Sequence, residues 1–163
     1  MLNEKKLLES DELLALSRIA IEREDYEGAL MKLKSILDEP EIPVGVYALL
    51  GRVYAALELF EKAIIAFDEY LIHRPEVVPE KFHLGAVYRE MGENEKALQI
   101  WDEVLEKAPD FPPVLYNQAL YYLEEKDEDG AIEKLNYIIE NIDPEDNHVD
   151  MANRLLSTIS LAS

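Results

Sequence analysis

Tyr47-Ala-Leu-Leu-Gly-Arg-Val-Tyr54, followed by Phe60-Glu-Lys-Ala-Ile-Ile-Ala-Phe67, Tyr70 and Pro75, is the stretch that decides the fold. Its apolar residues recur three and four apart, the spacing of amphipathic helices, and a short turn near Glu58 divides them into two. The chain then repeats the stretch. Gly51 and Tyr54 return as Gly85 and Tyr88, Ala63 as Ala97, Phe67 as Trp101 and Pro75 as Pro109, each 34 residues on. The alanine extends the series both ways, to Ala29 and Ala131. Copies of a helix–turn–helix unit at one fixed period predict an all-α solenoid, since such a unit buries its apolar face only by stacking on its neighbours.

Working outward, the periodicity predicts helix pairs at residues 44–57 with 60–73, 78–91 with 94–107, and 112–125 with 128–141. Before them, residues 1–9 read as a lead-in. Ser10 reads as the N-cap of a helix reaching about Glu24, which pairs with Tyr26–Asp38. All eight prolines (40, 43, 75, 79, 109, 112, 113 and 144) fall at junctions between pairs. Proline lacks the backbone donor and clashes with the preceding turn, so helical repeats require this placement. A final helix from about His148 to Leu161 has Ala152, Leu155, Leu156 and Ile159 on one face and polar residues on the other. It is expected to cap the array, with dimerisation as the alternative.

Bulk properties narrow the function. The 163 residues are 48% apolar, enough for a substantial core, and carry 35 acidic against 16 basic side chains, a net charge of −19. Such a surface repels a phosphate backbone and an anionic bilayer, so neither nucleic acid nor membrane is expected as a partner. With no cysteine there is no disulfide, thiolate nucleophile or cysteine-bound zinc. No stretch has the length and apolarity to span a bilayer, and the chain is expected to be cytoplasmic.

The repeated residues resemble the tetratricopeptide repeat (TPR) family. The match is close at Leu50, Gly51, Tyr54, Ala63, Phe67 and Pro75, and again at Leu84, Gly85, Tyr88, Ala97, Trp101 and Pro109. The outer repeats diverge: Ser17 and Ala20 stand for glycine and tyrosine in the first, and Gln118-Ala119 for Leu-Gly in the fourth. The resemblance implies a right-handed α-solenoid of about four TPR-like helix pairs plus a C-terminal capping helix. The divisions are then a lead-in at 1–9, a divergent repeat at 10–43, repeats at 44–77 and 78–111, a divergent repeat at 112–145, and a cap at 146–163. The glycines leave room for the second helix to approach the first, the alanines meet them at the crossing, and the aromatics fill the space between repeats. These aromatics are core and not a cofactor box.

Nothing in the pattern points to chemistry. His73, His83 and His148 lack metal-ligand spacing, and there is no phosphate loop and no nucleophile set beside a base. No catalytic residue, metal or cofactor is expected, and the chain does not read as an enzyme. In the resembled family the first helix of each pair lines a concave groove that holds a peptide. On this chain that face carries Leu14, Arg18, Ile21; Ala48, Arg52, Ala55; Phe82, Ala86, Arg89; and Tyr116, Leu120, Leu123, with His83 and Asn117 beside it. Three arginines and no acid stand in that set. The candidate peptide-binding residues are therefore Arg18, Arg52, Phe82, His83, Arg89, Tyr116 and Asn117. The competing reading pairs the arginines with Glu22 and Glu90 and leaves the groove merely solvated. The carboxylate clamp of chaperone-binding relatives is missing, since its places hold residues such as Ala48 and Pro113. The expected function is a non-enzymatic scaffold or adaptor that binds a protein or peptide segment in the groove. The alternatives are a small acidic chaperone for secreted substrates and a self-assembling module that forms a homo-oligomer.

Overall fold

The computed structural model describes residues 2–162, with side chains over residues 9–161. Among these residues there are nine helices and no strand: α1 (Leu2–Glu22), α2 (Tyr26–Leu37), α3 (Gly45–Ala56), α4 (Phe60–His73), α5 (Val78–Glu90), α6 (Asn94–Lys107), α7 (Pro112–Glu124), α8 (Glu128–Asn141) and α9 (Asn147–Ala162). The fold is an all-α helical-repeat solenoid. Its residues form two compact units, Met1–Ala97 and Leu98–Ser163, divided within α6.

The 34-residue period is visible in burial. Ala29, Ala63, Ala97 and Ala131 are each at most 1% exposed, as are Leu33, Phe67, Trp101 and Leu135 at a second set of equivalent positions. A third set, Ser17, Gly51, Gly85 and Ala119, is buried and small throughout. A Cβ added at Gly51 would lie 2.6 Å from the Phe67 ring, so the bulky ring is accommodated by the smallest partner. In the second unit Ala119 shares a core with the smaller Leu135 and keeps its methyl group. Ser17 is fully buried, and its hydroxyl donates back to the Leu13 carbonyl at 2.7 Å.

The turn inside each pair also repeats. Glu24, Glu58, Gly92 and Lys126 have φ of 60°, 57°, 79° and 63°, the left-handed region. The next residue's amide closes the preceding helix: Asp25 to Ala20, Leu59 to Tyr54, Glu93 to Tyr88 and Asp127 to Tyr122, at 2.8–2.9 Å. This six-to-one bond satisfies carbonyls the helix end would leave bare. Only Gly92 takes the left-handed conformation without steric cost; a side chain there costs about 1–2 kcal/mol. Asp25 and Asp127 then cap the following helices, each accepting 2.9 Å hydrogen bonds from Gly28 and Gly130 amides.

The predicted helices are present within a few residues, and the prolines that fall inside helices (79, 112 and 113) sit in the first turn. One expectation fails. Ser10 is not an N-cap: α1 passes through it, and its side chain is buried. Leu2 to Glu9 contains neither proline nor glycine, so a helix anchored downstream propagates through it without a stop signal. The side chains of the lead-in before Glu9 lie outside the described residues. At this end Leu16 and Ile19 are each 42% exposed, whereas their repeat equivalents Leu50 and Val53 are 3% and 0% exposed.

In the second unit α9 buries Val149 and Ala152 in one core with Leu115, Ala119 and Ile138. Asn153, Arg154, Ser157 and Thr158 face outward, and Arg154 pairs with Asp150 at 2.6 Å.

Candidate functional site

Three helices of the first unit, α1, α3 and α5, bring their first-helix faces to two adjoining clefts. The smaller, about 140 Å³, is lined by Arg18, Ile21, Glu22, Leu49 and Arg52. The larger, about 210 Å³, has Arg52, Ala55, Phe60, His83, Ala86 and Glu90 in its wall. Ile21 and Arg52 belong to both. The spacing of the stripe explains this: Arg18 and Ile21, like Arg52 and Ala55, are three apart and share one helix face. The leading positions Leu14 and Ala48 are turned into the core instead, at 9% and 8% exposure.

Arg18 and Arg52 are exposed. Among the described residues neither guanidinium lies within ion-pairing distance of a carboxylate, although Glu22 lines the same cleft. Of the pairings in the competing reading, those of Arg18 and Arg52 with Glu22 are not formed as ion pairs. His83 is largely buried. Its ring stacks on Phe67 with centroids 6.2 Å apart and 12° between planes, and meets Phe82 at 5.3 Å. Burial, and to a lesser degree the Arg52 guanidinium, holds the imidazole below its ordinary pKa, so it is neutral at neutral pH. Phe67 itself is fully buried, so it supports the His83 ring and presents no surface of its own to the cleft. Arg89 is half-buried on α5 beside Glu90.

The other two candidates belong to the second unit and have different surroundings. Tyr116 packs edge-on against His148 of α9, centroids 6.2 Å apart. Asn117 spends its amide on the Pro113 carbonyl at 2.8 Å. The His148 ring is held in turn by Asp146 at 2.8 Å. Hydrogen bonding from the His148 backbone amide, then from its ring, keeps the Asp146 carboxyl below its usual range. Beside them Gln118 is 2% exposed where Leu50 and Leu84 stand in the other repeats. Its amide nitrogen donates to Asp102 at 2.9 Å while its carbonyl oxygen has no partner.

Sequence reasoning missed a third cleft, about 430 Å³, formed by Leu37, Tyr47, Tyr54, Lys62, Ile65 and Ala66 among others. Ile65 is 69% exposed, and its equivalent 34 residues earlier, Met31, is 73% exposed. The signal was present, since both stand where Gln99 and Glu133 occupy later repeats. Lys62 there lies 5.9 Å from the Tyr54 ring centroid, as Lys96 lies 4.0 Å from that of Tyr88. Among the described residues no group of three His, Asp or Glu side chains is placed to hold a metal, and no helix is long and apolar enough to cross a membrane.

Two family models, both described as tetratricopeptide repeat, match residues 44–71 and residues 83–147. Among solved structures the chain is similar to TTC0263, a thermophilic TPR protein of Thermus thermophilus. The two are 23% identical over 92% of this chain and 81% of that one, with a TM-score of 0.76. It is also similar to MamA, at 22% identity over 83% and 82% of the two chains and a TM-score of 0.71. YrrB, a TPR protein with an unusual peptide-binding site, gives 19% identity, 89% and 74% coverage and a TM-score of 0.71. At these identities the likeness is one of fold. No curated protein gives a significant match. From the matched repeats and the helices that carry them, the chain belongs to the tetratricopeptide repeat family.

Proposed function

We propose that this chain is a non-enzymatic scaffold that assembles protein partners, and that it holds a peptide segment on the α1–α3–α5 face of its first unit. The coarser part rests on the fold, since tetratricopeptide repeats are interaction modules. The observation that carries the finer part is Arg52, an exposed arginine with no ion pair among the described residues, at the junction of two clefts in a chain of net charge −19. An unpaired guanidinium over apolar walls is a fork waiting for an acceptor, and His83, held in place by its stack on the buried Phe67 ring, offers rigid surface at little entropic cost. The peptide-binding site named for YrrB, a protein of the same fold, supports peptide binding as such, without bearing on which face is used. The net charge favours protein over nucleic acid or an anionic membrane as partner. A chaperone that holds an unfolded client would use the same face. The test is affinity purification from the native cell with the Arg52→Glu variant as control. Loss of a partner with an unchanged thermal melt is the expected result; retention of every partner contradicts the proposal.

Self-assembly is a second reading, favoured by the apolar pair Leu16 and Ile19, which are exposed only at the α1 end. Light scattering at high concentration, with Leu16→Gln and Ile19→Gln together as control, decides it: a wild-type monomer removes it.

A further inference from the structure

We infer that the segment bound on this face carries an acidic side chain next to an apolar or aromatic one, the carboxylate held by Arg18 and Arg52 and the apolar group seated against Ala55, Phe60 and Ala86. This rests on the peptide-binding reading and narrows it to a ligand class.

The assignment follows from how charge is divided between the two clefts. The smaller holds two arginines against one carboxylate, Glu22, so it is net positive within a strongly acidic chain. Its remaining walls, Ile21 and Leu49, are apolar, which lowers the local dielectric and strengthens an arginine–carboxylate contact. The larger cleft holds one arginine against one carboxylate, Glu90, with a neutral imidazole and the walls Ala55, Phe60 and Ala86. It has no surplus charge and suits an uncharged group. Because Ile21 and Arg52 line both, two neighbouring side chains of one extended segment can fill both at once. The surrounding acids act as a filter: a ligand with several carboxylates is repelled outside the small cleft, and a basic ligand is repelled within it.

The test is selection of random dodecapeptides displayed on phage against the full chain, run in parallel on the Arg18→Gln, Arg52→Gln double variant. Both arginines are exposed, so the variant is expected to melt with the wild type. The wild type should enrich peptides with one Asp or Glu flanked by a large apolar residue, and the double variant should not. In fluorescence anisotropy, a Glu-to-Gln change in such a peptide should weaken binding roughly tenfold or more, as expected for a lost charged hydrogen-bond pair. An Ala86→Leu variant, which fills the larger cleft, should lose the apolar preference and keep the acidic one. Enriched peptides with no surplus of acids, bound equally by the double variant, would overturn the ligand class while leaving a peptide-binding face. No enrichment on either protein would overturn the peptide-binding reading itself.

Discussion

The faces of α3 and α7 occupy the same repeat positions and have opposite fates. On α3, Arg52 projects over open clefts and finds no carboxylate within ion-pairing distance. On α7, polar capacity is taken up locally: Asn117 bonds its own helix, Tyr116 rests on His148, and Gln118 turns inward toward Asp102. Position in a repeat therefore tells which way a side chain points but not whether it is available. Availability depends on what the next element presents, and in the second unit α9 presents His148.

The packing that the two helices share is probed most severely at the helix crossing. Gly51→Ala should destabilise by about 1–3 kcal/mol, because its methyl group meets the Phe67 ring. Ala119 shows that a methyl group is tolerated where the partner is leucine. The penalty should accordingly shrink in a Phe67→Leu background, measured as a double-mutant cycle in denaturant. Additive effects would show that the two units do not share one packing rule.

Gln118→Leu installs the residue the other repeats use. It removes a buried carbonyl oxygen without a partner, and the exposed Asp102 can turn to water. A gain of about 1–2 kcal/mol is expected by chemical denaturation. A loss would mean that the Gln118–Asp102 bond is worth more than the unsatisfied atom costs.

Glu58→Gly should raise stability by about 1 kcal/mol by relieving a left-handed side chain. Gly92→Ala should lower it by a similar amount, since open space surrounds that position and only backbone strain acts. Equal melting points for both variants would mean that the left-handed turn residue carries no strain.

The smallest effect concerns pH. His83 is held below its ordinary value of 6.5, so the unfolded chain takes up the proton first as pH falls. The His83 contribution to stability is thus present above pH 6.5 and declines below it. His83→Asn, which imports the residue found on α7, should flatten that part of the stability–pH profile. An unchanged slope would place the titration elsewhere.

The fold was legible because its determinants are spaced along the chain. Ala29, Ala63, Ala97 and Ala131 mark each crossing, and proline marks each junction, so composition and period agree. The turns were half legible. Only Gly92 advertises the left-handed residue, while Glu24, Glu58 and Lys126 adopt it under tertiary constraint that no propensity reveals. The reach of α1 through Ser10 was misread because a serine that caps in one context simply bonds or buries in another. At the candidate site, periodicity puts Arg18 and Arg52 at equivalent positions, and the family resemblance is what pointed to their face and to His83 beside it. The engagement of Tyr116 by α9 follows from neither, since it depends on where a helix outside the repeat pattern comes to rest.

Whether the α1–α3–α5 face is where a peptide binds is answered most directly by ¹H–¹⁵N chemical-shift mapping of the full chain titrated with a bound peptide. Perturbations should concentrate on Ile21, Arg52, Ala55, His83 and Ala86 in the first unit, with Tyr116 and Asn117 little changed. Perturbations centred on Tyr116 and Asn117, or on Tyr47 and Ile65 at the third cleft, would contradict that assignment.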